Sequence, residues 1–334
     1  MSESTRPSAI SEAHPPVLEA EDLVMSYVIP TGERREVRAV RGVSLRVPAG
    51  KTVGVVGESG CGKSTLARML VGLEPPTSGT VKVRGQVAES LPSRERHALL
   101  RRVQMVFQSP FTSLDPRMTV RQIIREPLDV AVPRRSRADR RARVDELMAA
   151  VGLADHLGDR HPVQLSGGQQ QRVGLARALA ADSEVIICDE PVSALDVSIQ
   201  AQVINLLRDL QDELGIAYVF IAHNLGVVAS ISDYVAVMYL GRVVEYGSTD
   251  AIYDHPRHPY TKALLSSAPV PEPGVDLDET RIVLAGELPS PANVPTGCSF
   301  RTRCWKAQDV CAAVDPDLDS SDGSAHEVAC HFPE

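Results

Sequence analysis

Nine consecutive residues have the types and spacing of a phosphate-binding loop. They are Gly57-Glu58-Ser59-Gly60-Cys61-Gly62-Lys63-Ser64-Thr65. The glycines let the backbone wrap closely around phosphate oxygens, while Lys63 is expected to reach the β- and γ-phosphates and Ser64 to hold Mg²⁺. Apolar residues predict a buried strand before the loop, at 52–56, and a helix after it, from 66. A loop in that position directs its N–H groups and the helix dipole at a bound anion.

A second glycine-bearing loop opens another predicted helix. Its sequence is Leu165-Ser166-Gly167-Gly168-Gln169, and helix-forming residues continue to 179. Ser166 suits the N-cap position, and Gly167 and Gly168 leave backbone amides open. We therefore predict two anion-binding helix starts, the second facing a nucleotide from the side opposite to the first.

Polar residues follow directly on several apolar strand-like runs. They are Gln108, Asp189, Glu190 and His223. The carboxyl ends of core strands are where α/β sheets bind ligands. There Asp189 is predicted to hold Mg²⁺ through water, and Glu190 to act as general base on the attacking water. Gln108 is expected to touch the metal or that water, and His223 to contact the γ-phosphate.

Four of the six cysteines crowd near the C-terminus. They are Cys298, Cys304, Cys311 and Cys330, with the spacing C-x₅-C-x₆-C-x₁₈-C. Thiolates in this number suit zinc or an iron–sulfur cluster. The C-x₂-C pairs of most zinc ribbons are missing, which favours [4Fe–4S]. Four ordinary buried thiols are the competing interpretation.

Composition limits the function classes. The 334 residues carry a net charge of −8, which argues against a general nucleic-acid binder. Residues 1–16 are polar and lack a signal-peptide core, so we expect a disordered leader. No apolar run approaches the roughly 18 residues that span a bilayer. We expect a cytoplasmic protein whose membrane role, if any, comes through a partner.

The elements that must position these residues predict an α/β fold. Strand-like runs at 17–27 and 37–47 predict an antiparallel β layer beside the core. Tyr27 lies on that layer, where it either stacks on a purine ring or is a half-buried strand residue; position alone favours the second. Residues from 110 to about 165 read as a helical insertion. Its basic run at 134–143 favours a solvated helix face over a nucleic-acid or lipid contact.

The order of these motifs resembles the ATP-binding cassette (ABC) family over residues 17–250. The resemblance implies a P-loop NTPase cassette, which is a RecA-like core with an antiparallel β layer and a helical subdomain. It adds support to Tyr27 as the adenine-stacking residue. It also implies that ATP closes a dimer, with the Ser166 to Gln169 loop of one chain meeting the phosphate loop of the other.

The C-terminal residues 251–334 indicate a particular subfamily of ABC proteins. The runs at 254–265, 286–291 and 297–304 look like the C-terminal region of oligopeptide and dipeptide transporter ATPases. This implies an ATPase of a peptide importer, peripheral on the cytoplasmic membrane face, and it further favours a [4Fe–4S] cluster in a small tail domain. The implied partners are a second cassette in a heterodimer, two integral membrane permeases and an extracytoplasmic solute-binding protein. The alternatives are an importer of nickel or another small solute, and a soluble ABC ATPase acting on nucleic acid.

Overall fold

The structure is a computed structural model. It describes residues 15–31, 33–109, 113–130, 136–193, 195–267, 281–320 and 325–334. Residues 1–14 of the predicted leader and residues 134–135 of the basic run lie outside the described residues.

A seven-stranded sheet forms the centre of the molecule. Its strands are β3 (Thr52–Val56), β6 (Val103–Val106), β7 (Val185–Asp189), β8 (Ala217–Ile221), β9 (Tyr234–Tyr239), β10 (Arg242–Ser248) and β11 (Glu327–Val328). The order across the sheet is β11-β10-β9-β3-β8-β7-β6. Strands β3, β7 and β8 are wholly buried, as the apolar runs predicted, and they are parallel. Their carboxyl ends therefore lie along one edge.

A second sheet is antiparallel and packs on the first. It contains β1 (Pro16–Thr31), β2 (Glu33–Pro48), β4 (Ser78–Val83) and β5 (Gln86–Val87), in the order β2-β1-β4-β5. Strand β1 already begins at Pro16, the last residue of the predicted leader. Val40 and Val43 of β2 share one apolar core with Val53 and Val55 of β3. The predicted β layer is thus confirmed.

Helices cover the main sheet and form the helical insertion. They are α1 (Lys63–Leu70), α2 (Ser93–Leu100), α3 (Val120–Asp129), α4 (Arg137–Ala150), α5 (Gly167–Ala180), α6 (Val197–Leu214), α7 (Leu225–Ile231), α8 (Thr249–Asp254), α9 (Pro259–Ser266) and α10 (Asp309–Ala313). Ile124 of α3, Leu147 of α4 and Val173 of α5 meet in one core.

Helix α4 carries the described part of the basic run. Arg140 pairs there with Asp129, and Arg143 pairs with Glu146 at 3.2 Å. This is the arrangement of a charged, solvated helix face. Across the described part of the chain, none of the helices combines the length and the apolar character that crossing a bilayer requires.

The C-terminal region returns to the main sheet and is tied to it by a buried carboxylate. Glu245 of β10 is fully buried. It accepts the backbone N–H groups of Arg257 (2.6 Å) and His258 (3.0 Å) and contacts His326 Nε2 at 2.7 Å. Strand β11 pairs antiparallel with β10 beside it. The described residues at 257–258 and 326–328 are therefore packed against the core.

Candidate active site

The phosphate loop joins β3 to α1 in a backbone conformation that only glycine adopts easily. Gly57 and Gly62 have φ angles of 152° and 104°. A Cβ at Gly57 would lie 2.2 Å from the carbonyl oxygen of Met238, and one at Gly62 would lie 2.2 Å from that of Ala39. Among the described residues, no side chain caps the N-terminus of α1. The loop is thus held closely between β9 and β2, with the first amides of α1 left for an anion.

Lys63 lies folded into its own loop. Its side chain is buried, and Nζ donates to the carbonyl oxygens of Gly57 at 2.7 Å and Glu58 at 2.9 Å. These bonds satisfy a buried ammonium group. The predicted phosphate-binding lysine therefore lies at the centre of the loop.

Ser64 and Asp189, both predicted Mg²⁺ ligands, are in contact. The Ser64 hydroxyl donates to Asp189 Oδ1 at 3.1 Å. Burial raises the pKa of the Asp189 carboxyl, and the hydrogen bond from Ser64 partly opposes that rise. A hydroxyl and a carboxylate oxygen are hard ligands of the kind Mg²⁺ prefers. The residues present therefore fit a magnesium ion beside the phosphate loop.

Three predicted strand-tip residues also meet. Gln108 Nε2 donates to Glu190 Oε2 at 2.8 Å, and His223 Nδ1 lies 3.6 Å from the same oxygen. Glu190 has a φ of 47°, a left-handed conformation that is costly for a residue with a side chain. Its backbone N–H donates to the carbonyl oxygen of Ile221, which holds it there. The three tips of β6, β7 and β8 thus form one polar cluster.

Tyr27 is partly exposed at the edge of the β layer, with 39% of its surface accessible. Its hydroxyl donates to Glu74 Oε2 at 2.5 Å. Burial raises the pKa of Tyr27, and Glu74 raises it further, while a hydrogen bond with Thr65 of the phosphate loop lowers it. The partly exposed ring therefore lies beside the loop, and its stacking on adenine stays a prediction.

The second glycine loop begins α5 as predicted. Ser166 is the N-cap and accepts the backbone N–H of Gln169, whose side chain accepts the N–H of Ser166 in return. This is a capping box. A Cβ at Gly168 would lie 2.8 Å from Ile199, so the loop packs against the start of α6. Ser166 and Gly167 are exposed and therefore accessible to another molecule.

The four C-terminal cysteines are free thiols that line one cavity. Burial raises the pKa of Cys298 to about 11. The backbone N–H groups of Lys306 and Phe332 donate to Cys304 Sγ and Cys330 Sγ, each at 3.4 Å. In the described ranges, no three or more His, Cys, Asp or Glu side chains are grouped so that they could hold a metal ion. The thiols converge without metal-ligand geometry, and the cluster stays a prediction.

Two protein-family models match the chain. One describes ABC transporters and matches residues 40–193; the other describes the C-terminal region of oligopeptide/dipeptide transporters and matches residues 244–311. The putative oligopeptide transport ATP-binding protein YkfD of Bacillus subtilis is 50% identical over 317 residues, which cover 95% of each chain. This chain belongs to the ABC transporter family of ATP-binding proteins. The predicted family is thus confirmed.

Other members of the family support this cassette's fold. The oligopeptide transport ATP-binding protein OppF of Escherichia coli is 49% identical, over 97% of this chain and 98% of its own. The solved dimeric bacterial ABC transporter cassette MJ0796 superposes with a TM-score of 0.63 at 29% identity, over 70% of this chain and 98% of its own. The predicted ABC cassette fold is confirmed.

Some residues that contact the site were not predicted as site residues, although two of them lie in the C-terminal runs at 254–265 and 297–304. Arg303 and Tyr260 of the C-terminal region both contact Glu58 in the phosphate loop, and Glu74 contacts Tyr27. One signal was present: Glu58 is an acid inside an anion-binding loop, which calls for a nearby cation. The position of that cation in the sequence could not be read from the chain.

Proposed function

We propose that this protein is the ATP-hydrolysing subunit of a peptide importer. The observation that carries the proposal is the meeting of Ser64 with Asp189, and of Gln108 with Glu190 and His223, beside the phosphate loop. The relatives named as oligopeptide or dipeptide transport ATP-binding proteins supply the cargo class. Their identity extends along nearly the whole chain, including the region after residue 250.

The side chains divide the work of hydrolysis. Bound MgATP supplies the phosphoanhydride bond that is broken. Lys63 would bind the β- and γ-phosphates, and Ser64 and Asp189 would hold the Mg²⁺ ion, which would neutralise charge on the phosphates. Glu190 accepts the proton of the attacking water. Gln108 contacts either that water or the Mg²⁺ ion. His223 contacts the γ-phosphate.

Nucleotide binding is shared between two cassettes in this proposal. Gly57, Ser59, Gly60, Cys61, Gly62, Lys63, Ser64 and Thr65 cradle the phosphates on one side. Ser166, Gly167, Gly168 and Gln169 of a second cassette cover them from the other, and Tyr27 stacks on the adenine. The exposure of Ser166 and Gly167 supports this arrangement. The second cassette is a sister subunit in a heterodimer.

Two integral membrane permeases dock on the helical subdomain, about 110–165, near Gln108. An extracytoplasmic solute-binding protein delivers the peptide, and the cassette is peripheral on the cytoplasmic membrane face. Family membership supports a transporter assembly. We divide the chain into a nucleotide-binding domain at 17–250 and a C-terminal region at 251–334.

The C-terminal thiols hold a [4Fe–4S] cluster in this proposal. Support comes from the shared cavity of Cys298, Cys304, Cys311 and Cys330 and from N–H groups that donate to two of the sulfurs. Metal-ligand geometry forms together with metal binding. Iron and sulfide analysis of anaerobically purified protein tests it: Cys304→Ser should lose iron and Cys188→Ala on β7 should keep it. Zinc without iron would overturn the assignment.

Purification of the tagged full chain from native membranes tests the transporter role. We expect a second cassette and two multi-span membrane proteins to co-purify, and cells lacking the chain to lose uptake of labelled peptides. If these cells took up peptides normally but no longer took up nickel, the assignment of peptides as the cargo would be contradicted. Salt-dependent binding to DNA or RNA without membrane partners would contradict the importer itself.

A further inference from the structure

Glu58 places a carboxylate inside the loop that is built for a triphosphate. It follows Gly57 directly, and its side chain is 25% exposed. A negative charge a few ångströms from a polyanion opposes its binding, and partial burial weakens the screening by solvent. The phosphate loop therefore needs a compensating cation close to Glu58.

Arg303 supplies that cation from the far end of the sequence. Its Nη1 donates to both carboxylate oxygens of Glu58, at 3.0 and 2.9 Å. The Arg303 side chain is only 10% exposed, so the pair is sheltered more than a surface salt bridge. Arg303 directly precedes Cys304, the second of the four C-terminal cysteines. The charge balance of the phosphate loop thus depends on the C-terminal region.

Tyr260 gives a second contact from the same region. Its hydroxyl accepts the backbone N–H of Glu58 at 2.9 Å. The Tyr260 ring is fully buried and packs against Tyr239 and Phe300, with ring centroids 4.7 and 5.4 Å away. Phe300 lies between Cys298 and Cys304 in the sequence. This aromatic cluster makes the contact between region and loop rigid.

Glu58 also contacts the phosphate-binding lysine. Lys63 Nζ donates to the Glu58 carbonyl oxygen at 2.9 Å. The residue is therefore held at its N–H by Tyr260, at its carboxylate by Arg303 and at its carbonyl by Lys63. A displacement of Glu58 changes the surroundings of the Lys63 ammonium group.

We propose that Arg303 is a positioning residue for the phosphate loop. It neutralises the charge of Glu58 and, together with Tyr260, holds the loop in place from the C-terminal region. Nucleotide affinity then depends on two residues that lie outside the phosphate loop, in the C-terminal region. The inference rests on the proposed function, because it assumes that the loop binds ATP.

The test measures ATP affinity of the full chain by calorimetry, together with thermal unfolding. Arg303→Ala should weaken ATP binding roughly five- to tenfold, the lower part of the range usual for coupling between two sites. The deficit should shrink at high salt because like-charge repulsion is screened. Adding Glu58→Ala to Arg303→Ala should restore most of the affinity, because the unpaired charge is then gone. Arg303→Lys keeps the charge and should lose less.

Arg301→Ala is the matched control. Arg301 lies two residues before Arg303, but its side chain donates to the carbonyl and hydroxyl oxygens of the nearby Thr296. We expect the Arg301→Ala variant to bind ATP with the affinity of the unmodified protein. Unchanged binding by a folded Arg303→Ala variant would overturn the inference, as would a loss that Glu58→Ala does not repair. Failure of the unmodified protein to bind ATP would instead overturn the proposed function, and the inference with it.

Discussion

The side-chain amide of Gln108 donates a 2.8 Å hydrogen bond to Glu190, joining residues 82 positions apart in the sequence. Adjacent parallel strands β6 and β7 bring them together, since both residues follow strand ends on one edge of the sheet. His223, after β8, lies 3.6 Å from the same carboxylate oxygen. The carboxylate that we assign as general base is thus oriented by the hydrogen bond from Gln108 and lies next to His223.

Replacement of that carboxylate should separate nucleotide binding from turnover. Glu190→Gln should lower the ATPase rate by about 10²-fold or more, because a general base contributes that much. Binding of ATP should persist, and an ATP-bound dimer should accumulate on size-exclusion chromatography. Glu213→Gln, on the exposed side of α6, is the control. Normal turnover by Glu190→Gln would remove Glu190 from its assigned role.

The glycines of the phosphate loop differ in what they tolerate. Gly62→Ala should abolish nucleotide binding and lower the free energy of unfolding by about 1–3 kcal/mol, because its Cβ would lie 2.2 Å from the Ala39 carbonyl oxygen. Gly60→Ala has open space around its Cβ but a φ of 78°, so we expect a cost of only about 1 kcal/mol. Urea unfolding and ATP titration of both variants make the comparison. Equal losses would contradict the steric argument.

Tyr27 can be tested as a stacking residue. Tyr27→Ala should weaken ATP binding about tenfold, in line with about 1–3 kcal/mol for a base stacked on an aromatic ring. Binding of tripolyphosphate, which has no base, should not change. Tyr27→Phe keeps the ring, loses the hydrogen bond to Glu74 and should bind ATP nearly normally. Equal weakening for ATP and tripolyphosphate would favour a role in the β layer alone.

His258 should make the stability of the protein depend on pH. Burial lowers its pKa to about 4 from the ordinary 6.5, with Glu245 partly opposing the shift. Between these values the unfolded chain binds the proton and the folded chain does not, so the free energy of unfolding falls as the pH falls. The full separation is worth about 3 kcal/mol.

Urea unfolding near neutral pH and at about pH 5 measures this dependence. His258→Asn keeps an acceptor for the backbone N–H of Tyr260, which His258 Nδ1 now accepts at 3.0 Å, and it does not titrate. Its stability should change less with pH than that of the unmodified protein. His97→Asn, at an exposed position on α2, should keep the full dependence. Equal pH dependence in all three proteins would contradict the assignment.

The sequence by itself determined the motifs and their order along the chain. Glycines with positive φ, a lysine after them and apolar strands ending in polar residues are local features, because turn and strand preferences act over a few residues. The phosphate loop, the N-cap at Ser166 and the apolar strand before Asp189 could therefore be predicted. So could the ABC cassette, since the order of such motifs is specific.

Only the tertiary structure decided which distant residues share the site. Arg303 reaches Glu58 across 245 positions because the C-terminal region packs on the core, and no local pattern encodes that pairing. The same packing buries Glu245 and lowers the pKa of His258. Such contacts depend on how helices and strands pack against one another, and this packing results from many weak interactions across the whole chain. The sequence therefore predicted the parts of the nucleotide site, and the fold supplied the connection between its phosphate loop and the C-terminal region.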